Sequence, residues 1–176
     1  MFLRLFFACY FLLGVAHAQE VPEYDRSAYG GWIDADRDGA DTRREVLLAE
    51  SHGAFIPTWE CPYTGYVFFD PSSMDIDHLV PLREAHFSGA WRWPKEKKKS
   101  YANFLDDSDH LIAVKASANR SKGAKDPAAW LPTENRCKYA IAWVRVKYRW
   151  GLEIASDETS ALLQAISECP EQFPGG

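Results

Sequence analysis

The sequence predicts a single α+β domain, because strand-like stretches lie in the middle of the chain and helical patterns lie on both sides of them. The strand-like stretches are residues 54–70, which are aromatic and β-branched, the alternating residues 75–82 and the apolar run 111–114. The length of 176 residues fits one domain, and 47% hydrophobic residues supply enough material for a core. This composition excludes disordered, collagen-like and low-complexity chains.

In the first half of the chain, an irregular region is followed by a helix and then by short strands. Residues 19–32 are rich in Tyr, Gly and charge, and residues 42–51 follow an acidic stretch with helical periodicity. Residues 54–70 are broken by proline and glycine into short strands. Residues 75–82 alternate apolar and polar side chains, which predicts a strand, and residues 83–86 predict a short helix.

The second half of the chain ends in two helices. Residues 91–101 form a basic and aromatic segment, and the apolar run 111–114 predicts a strand. Residues 117–122 read as the opening of a helix directly after this strand. Residues 137–150 and 157–168 have the periodicity of amphipathic helices.

The N-terminal residues 1–18 have the features of a secretory signal peptide. A single positive charge at Arg4 precedes an apolar run over residues 5–16, and a small-x-small site ends at Ala18. The run is too short to cross a membrane. We expect cleavage after Ala18, with an uncleaved anchor as the alternative. The protein is then secreted or periplasmic, and residues 19–176 form the single mature domain.

The cysteines of the mature chain allow one disulfide bond. They are Cys61, Cys137 and Cys169, and no Cys-x-x-Cys pair indicates a zinc ribbon. Cys137 begins one predicted helix and Cys169 closes another, so antiparallel packing of the two helices would bring them together. The sequence therefore predicts a Cys137–Cys169 bond.

The charge of the chain is unevenly distributed. The net charge of −5 argues against a nucleic-acid-binding protein, but residues 83–149 contain fifteen Lys and Arg against seven Asp and Glu. Basic residues interleaved with Trp, Tyr and Phe are typical of surfaces that bind phosphate backbones. For the run at residues 97–99 alone, a solvated helix face is the simpler interpretation.

Two motifs contain side chains that are suited to catalysis or metal binding. The first is Asp-Ile-Asp-His-Leu-Val-Pro over residues 75–81, and the second is Ala-Asn-Arg-Ser-Lys-Gly over residues 118–123. Consecutive Asp77 and His78 point to opposite faces of a strand, so they share one site only if the chain bends locally.

These motifs, together with Asp-Thr-Arg at residues 41–43 and the stretches 59–65 and 117–127, resemble the HNH (His-Me finger) endonucleases. The resemblance is to a secreted branch related to the C-terminal nuclease domain of GmrSD-type restriction enzymes. It spans most of the mature chain. It implies a ββα-metal core with flanking helices and a secreted, metal-dependent endonuclease that hydrolyses DNA, with RNA as a further substrate class.

The resemblance also implies roles for individual residues. His78 would be the general base, and Asp77 and Asn119 would hold one divalent metal, Mg²⁺ or alternatively Mn²⁺. His110 occupies the position of the middle Asn of the family pattern. We favour a bracing role for His110, with metal binding or proton transfer as the alternative.

Basic residues near the second motif are candidates for binding the substrate. Arg120, Lys122 and Lys125 lie beside the predicted helix opening and could hold phosphates, and the resemblance makes Arg43 a further candidate phosphate clamp. The expected partner is thus a nucleic acid, and we expect a monomer with no membrane contact after signal cleavage.

An acidic segment before the first helix matches a calcium-loop pattern. Asp34, Asp36, Asp38 and Glu45 have the Asp-x-Asp-x-Asp-Gly-x₅-Glu spacing, with Gly39 at the sharp turn. No helix pattern precedes the loop, which excludes a complete EF-hand. Two interpretations stay open: a lone structural Ca²⁺ site and an acidic turn that caps the following helix.

Two other classes of protein compete with the endonuclease. A calcium-stabilised cell-surface binding module would use the acidic loop and have no need of His78. A catalytically inactive nuclease-fold protein that binds DNA would explain the departure at His110.

Overall fold

The computed structural model describes residues 20–169, and it is a mixed α+β structure with two small antiparallel sheets and six α-helices in this range. The elements are α1 (Thr42–Ala49), β1 (Trp59–Glu60), β2 (Val67–Phe68), β3 (Met74–His78), α2 (Leu82–Phe87), α3 (Lys95–Ala102), β4 (Leu111–Lys115), α4 (Ala116–Lys122), α5 (Arg136–Trp150) and α6 (Ser156–Ser167). Short 3-10 helices span Arg26–Tyr29, Pro71–Ser73 and Ala90–Arg92.

The centre of the fold is the ribbon of β3 and β4. The two strands pair antiparallel from Met74 opposite Lys115 to His78 opposite Leu111. Both strands are almost entirely buried, which explains the apolar run of β4. The helix α4 follows β4 without a loop and packs against both strands. The predicted strand-to-helix transition after residue 114 is therefore confirmed.

A helical layer formed by α5 and α6 closes the C-terminal half. The chain reverses at Gly151, whose φ of 65° lies in the left-handed region that glycine adopts without strain. The two helices pack against each other, and the disulfide between Cys137 and Cys169 joins the start of α5 to the residues after α6. The predicted pairing is thus confirmed, and Cys61 is a buried free thiol.

Buried Lys147 ties these helices to the rest of the molecule. Its Nζ lies 2.8 Å from Glu84 Oε1 of α2 and 2.7 Å from Glu158 Oε1 of α6. Because all three elements meet at one ammonium group, loss of Lys147 would leave two carboxylates without their common partner.

The N-terminal segment, residues 20–33, packs against α3 and contains no β-strand. The Asn103 side chain, just after α3, holds it by accepting a hydrogen bond from Ile33 N and donating one to Gly31 O, both at 3.2 Å. The same Asn103 Oδ1 accepts from Thr42 Oγ1 at 2.8 Å, which fixes the start of α1.

The α+β fold class is confirmed, and the boundaries of most predicted elements agree with the sequence to within a few residues; α3 lies in a segment for which no helix bounds were predicted. The predicted helix over residues 42–51 ends earlier, at Ala49, and the strands predicted in residues 54–70 are reduced to one pair of two-residue strands, β1 and β2. The predicted signal peptide, residues 1–18, lies outside the described residues. Within residues 20–169, no helix is long and apolar enough to cross a membrane.

Candidate functional site

An open cavity of about 300 Å³ lies where the end of β3 meets α4 and the N-terminal segment. Three residues singled out by the sequence line it: Asp77, His78 and Asn119. Arg26 and Arg83 line the same cavity. His78 is the last residue of β3, so the cavity at this end of the strand is open to side chains from both of its faces. The consecutive residues Asp77 and His78 therefore both line it.

The imidazole of His78 is fixed by one of its two nitrogens. Nε2 lies 2.9 Å from the carbonyl oxygen of Ala102, which can only accept, so Nε2 carries the proton. Nδ1 has no partner in residues 20–169, and unlike Nδ1 of His110 it is not closed off from solvent. Burial and the neighbouring His110 lower the pKa of His78 to about 3. The ring is therefore neutral, with Nδ1 unprotonated and able to accept a proton, although the lowered pKa makes it a weaker base than a free imidazole.

Aromatic rings hold the plane of the His78 ring. Trp32 stacks on it with ring centroids 5.4 Å apart and an angle of 10° between the planes. Tyr101 lies nearly parallel, with centroids at 6.3 Å. These rings limit the rotation of the imidazole, so the direction of Nδ1 is set before any ligand binds.

His110 is buried behind His78, with 1% of its surface exposed. Its Nε2 donates to the carbonyl of Tyr101 at 2.7 Å, and its Nδ1 is buried without a partner. Its own backbone carbonyl accepts from Leu79 N at 3.0 Å. The two histidines thus bind the consecutive carbonyls of Tyr101 and Ala102 at the end of α3. This geometry favours the bracing role over proton transfer.

Asp77 is buried and forms an ion pair with Lys122 of α4. The Lys122 Nζ lies 2.8 Å from Asp77 Oδ2 and 3.0 Å from Oδ1, and it also donates to the carbonyl of His78 at 2.9 Å. The Tyr63 hydroxyl donates to Oδ2 at 2.6 Å. Burial raises the pKa of Asp77 and lowers that of Lys122, whereas their mutual attraction opposes both shifts.

Asp75 and Asn119 are the second pair between β3 and α4. Asn119 Nδ2 donates to Asp75 Oδ2 at 3.2 Å, and both side chains are half-buried. Asn119 and Lys122 lie about one turn apart on the same face of α4, and Asp75 and Asp77 lie two residues apart on the same face of β3. Asn119 therefore meets Asp75, and Lys122 meets Asp77.

The predicted ligands Asp77 and Asn119 do not fit a divalent cation in this arrangement. Both oxygens of Asp77 already accept hydrogen bonds, and the Lys122 ammonium neutralises the carboxylate at 2.8 Å. A cation that bound Asp77 would have to displace a buried ammonium group. Of the two predicted ligands, only Asn119 has no cationic side chain bound to it among residues 20–169.

The structure corrects the predicted role of Arg43. Its Nη2 donates to the carbonyls of Met74 at 2.9 Å and Pro71 at 3.3 Å, at the beginning of β3. His78 lies at the other end of the same strand, so the guanidinium of Arg43 braces the strand and is not a clamp beside the cavity. The Asp-Thr-Arg motif gave no indication of which end of the strand it would meet.

The structure also corrects the predicted role of Lys122, whereas Arg120 and Lys125 stay candidates for substrate binding. Lys122 is fully buried and paired with Asp77, so it cannot contact a substrate. Arg120 and Lys125 are exposed on and beyond α4, and Lys125 Nζ donates to the carbonyl of Ser121 at 2.8 Å. Both remain accessible at the surface beside the cavity-lining residue Gly123.

Trp32, Arg26 and Arg83 belong to none of the sequence motifs that indicated the site. Arg83 lies five residues after His78, so its proximity to the first motif was the available signal. Arg26 and Trp32 reach the cavity region only because the N-terminal segment crosses α3, and no local pattern in the sequence indicates that path.

The acidic loop before α1 brings together three of the four carboxylates that match the calcium-loop pattern. The oxygens of Asp34, Asp36 and Asp38 lie within 4.8 Å of one another, and all three residues are exposed. Gly39 has a φ of 95°, and its N–H donates to Asp34 at 3.0 Å. Burial and the carboxylates of Asp36, Asp38 and Asp34 raise the pKa of Glu45. The loop turn is as predicted, and Asp41 accepts from Arg44 N as the cap of α1.

No family model matches the chain, and no solved structure matches it. A protein of Arthroderma benhamiae (strain ATCC MYA-4681 / CBS 112371), named "Uncharacterized secreted protein", is 36% identical over 135 residues, which cover 76% of this chain. The chain spans 64% of that relative's length. The expectation of a secreted protein is confirmed by this relative.

Proposed function

We propose that the protein is a secreted endonuclease that hydrolyses phosphodiester bonds of DNA, with RNA as a second substrate class. The observation that carries the proposal is the unprotonated Nδ1 of His78 in a cavity flanked by two arginines. A water molecule beside Nδ1 would lose its proton to the imidazole as its oxygen attacks the phosphorus; the bond from phosphorus to the leaving 3′ oxygen breaks, and a proton from solvent neutralises that oxygen. The ribbon of β3 and β4 followed by α4 also has the order of elements that the HNH resemblance implies.

The surroundings of His78 support a role as general base. Trp32 and Tyr101 hold the ring, and the Ala102 carbonyl fixes the tautomer with its proton on Nε2. A base whose orientation is set in advance costs little ordering entropy when the substrate binds. His110 would contribute indirectly, by holding the end of α3 that supplies this carbonyl.

The dependence on Mg²⁺ or Mn²⁺ stays a prediction of the resemblance. When bound, such an ion would neutralise phosphate charge. Asn119 offers an amide oxygen at the cavity, but Asp77 is compensated by Lys122. In the geometry described here, the chain itself supplies the proton acceptor and the positive charges of the arginines.

For the acidic loop we propose a structural Ca²⁺ site rather than a catalytic one. Its three exposed aspartates converge, and they lie outside the cavity that holds His78. Carboxylate oxygens are the ligands that Ca²⁺ prefers, and a bound ion would relieve the repulsion among them.

A cleavage assay tests the proposed function. The chain from residue 19 onward is incubated with supercoiled plasmid or with RNA, in Mg²⁺, in Mn²⁺ and in EDTA. The proposal predicts nicked plasmid with at least one metal, and the resemblance predicts its loss in EDTA. Plasmid that is retarded on a gel but never cut under any condition would contradict the proposal and favour a binding protein.

A further inference from the structure

Arg26 and Arg83 supply positive charge at the cavity, but the proposed mechanism gives them no specific contact with the substrate. They come from distant parts of the chain, the first 3-10 helix and α2, and both line the cavity that contains His78 and Asn119. Both are exposed. Within residues 20–169, neither forms an ion pair with a carboxylate, although five other basic residues do; these are Arg92, Lys122, Arg145, Lys147 and Arg149.

Local contacts hold both side chains while leaving donors unused. Arg26 Nη1 donates to the carbonyl of Gly30 at 2.7 Å, which anchors the guanidinium to its own 3-10 helix. The guanidinium carbon of Arg83 lies 5.6 Å from the centre of the Phe87 ring. A guanidinium group has five N–H donors, so each arginine retains donors for a ligand.

The segment that carries Arg26 is fixed against the body of the protein. The ring of buried His86 binds the Pro22 carbonyl through Nε2 at 2.9 Å, and it meets the ring of Tyr24 at 5.6 Å. Farther along, Tyr29 is fully buried, and the ammonium of Lys98 lies 5.8 Å from its ring centre. Contacts before and after Arg26 in the sequence therefore fix its backbone beside the cavity.

We propose that Arg26 and Arg83 form a phosphate-binding subsite for the backbone of a nucleic-acid strand beside His78. The inference rests on the proposed function and adds the residues that bind its substrate. Paired guanidinium groups suit the oxygens of a phosphodiester, because each can donate two parallel hydrogen bonds to one phosphate. The subsite positions the strand, and it carries no preference for a base sequence.

Kinetics of variants test the subsite. Arg26→Gln and Arg83→Gln each remove one charge, and Arg26→Lys and Arg83→Lys keep the charge but lose the paired donors. We expect each Gln variant to lower kcat/KM for plasmid or oligonucleotide cleavage about 10- to 100-fold, because a charged hydrogen bond is lost. Each Lys variant should lie between the Gln variant and the wild type. Arg44→Gln, an exposed arginine of α1 outside the cavity, is the matched control and should cleave as the wild type does.

The salt dependence of binding separates a phosphate contact from a structural effect. In a His78→Ala background, which is expected to slow turnover strongly, binding of a labelled oligonucleotide is measured by anisotropy at several salt concentrations. The slope of log K against log salt should become shallower by about 0.7–0.9 for each Gln variant. Thermal melting must match the parent protein, and Arg26→Lys keeps the test valid if a Gln variant fails to fold.

The outcomes distinguish this inference from the proposed function. If the wild type cleaves DNA while Arg26→Gln and Arg83→Gln match Arg44→Gln in rate and salt slope, the subsite is wrong and the nuclease proposal stands. If the wild type never cleaves but the Gln variants lose affinity and slope, the subsite stands on a binding protein. Absence of any salt-dependent nucleic-acid binding by the wild type would overturn both.

Discussion

Two carboxylate-rich regions of the molecule differ in how their charge is balanced. Between β3 and α4, Asp77 is buried against Lys122 and Tyr63, so its charge is compensated within the fold. Around α1, carboxylates gather without any Lys or Arg in ion-pair distance among residues 20–169; they are Asp34, Asp36, Asp38, Glu45 and Glu50. The sequence suggested a cation at both places.

The difference teaches that spacing of acidic residues alone does not identify a cation site. At Asp77 the fold has placed an ammonium group where the resemblance expects a metal ion. In the acidic loop, the exposed aspartates accept hydrogen bonds from the backbone N–H groups of Asp38, Gly39 and Ala40, and an added cation would relieve the repulsion that is left. Asp77 is therefore expected to matter first for stability, whereas the loop is expected to respond to added calcium.

The largest expected effect comes from breaking the compensated pair. Asp77→Ala leaves the buried ammonium of Lys122 without a partner, so the free energy of unfolding should fall by about 3–5 kcal/mol. The double variant Asp77→Ala/Lys122→Met removes both charges and should recover part of that loss. Urea denaturation measures both.

The exposed pair Arg92–Glu153 is the matched control for this prediction. Its side chains are 57% and 75% exposed, and Glu153→Ala should change stability by less than about 1 kcal/mol. If Asp77→Ala were as mild as Glu153→Ala, the ion pair with Lys122 would not be the feature that stabilises this region.

A smaller effect concerns the uncompensated carboxylate of Glu50. Its Oε2 accepts from Ala113 N of β4 at 3.0 Å, and burial raises its pKa to about 7 despite this hydrogen bond. Because the unfolded group has a pKa of about 4.3, the folded chain binds the extra proton between these values. Stability should therefore fall as pH rises from about 4.5 to 7, and it should level off above that range.

The variant Glu50→Gln keeps an oxygen acceptor for Ala113 N and cannot ionise. Relative to this variant, the wild type should lose about 1–3 kcal/mol of unfolding free energy between pH 4.5 and pH 8. Urea denaturation at the two pH values checks it, with the exposed Glu60→Gln of β1 as control. Parallel pH curves for wild type and Glu50→Gln would show that burial does not shift this group.

The smallest expected effect is calcium binding to the acidic loop. At a calcium concentration ten times the Kd, binding should stabilise the fold by about 1.4 kcal/mol, which raises the Tm by a few degrees. The shift should persist in Asp77→Asn, which leaves the loop intact, and disappear in Asp36→Asn/Asp38→Asn. A Tm that calcium leaves unchanged would favour the helix-capping interpretation of the loop.

The comparison also shows which features the sequence could predict. Alternation along β3 and the apolar run of β4 predicted two strands, and the position of two cysteines at the ends of predicted helices predicted their bond, because these are local patterns. His78 and Asn119 meet at one cavity as their motifs suggested. The signals behind these predictions are local, although the disulfide bond and the cavity each join two different elements.

The contacts that the sequence could not predict cross between elements. Lys122 looked like a surface cation, but the packing of α4 on the ribbon turns it inward to Asp77. Arg43 binds the start of β3, which depends on where α1 lies. Arg26 reaches the cavity because the N-terminal segment crosses α3, and this path is fixed by tertiary contacts such as those of Asn103. No periodicity carries that information.

The most direct test of the account is cleavage by His78→Ala. We expect plasmid turnover to fall roughly 10²–10⁴-fold, the usual contribution of a positioned general base, while nucleic-acid binding is almost unchanged. Added imidazole should restore part of the activity, and the exposed His52→Ala should cleave as the wild type does. If His78→Ala kept near-normal cleavage while His110→Ala abolished it, the roles of base and brace would be reversed. If neither substitution affected cleavage, the proposed mechanism would be wrong.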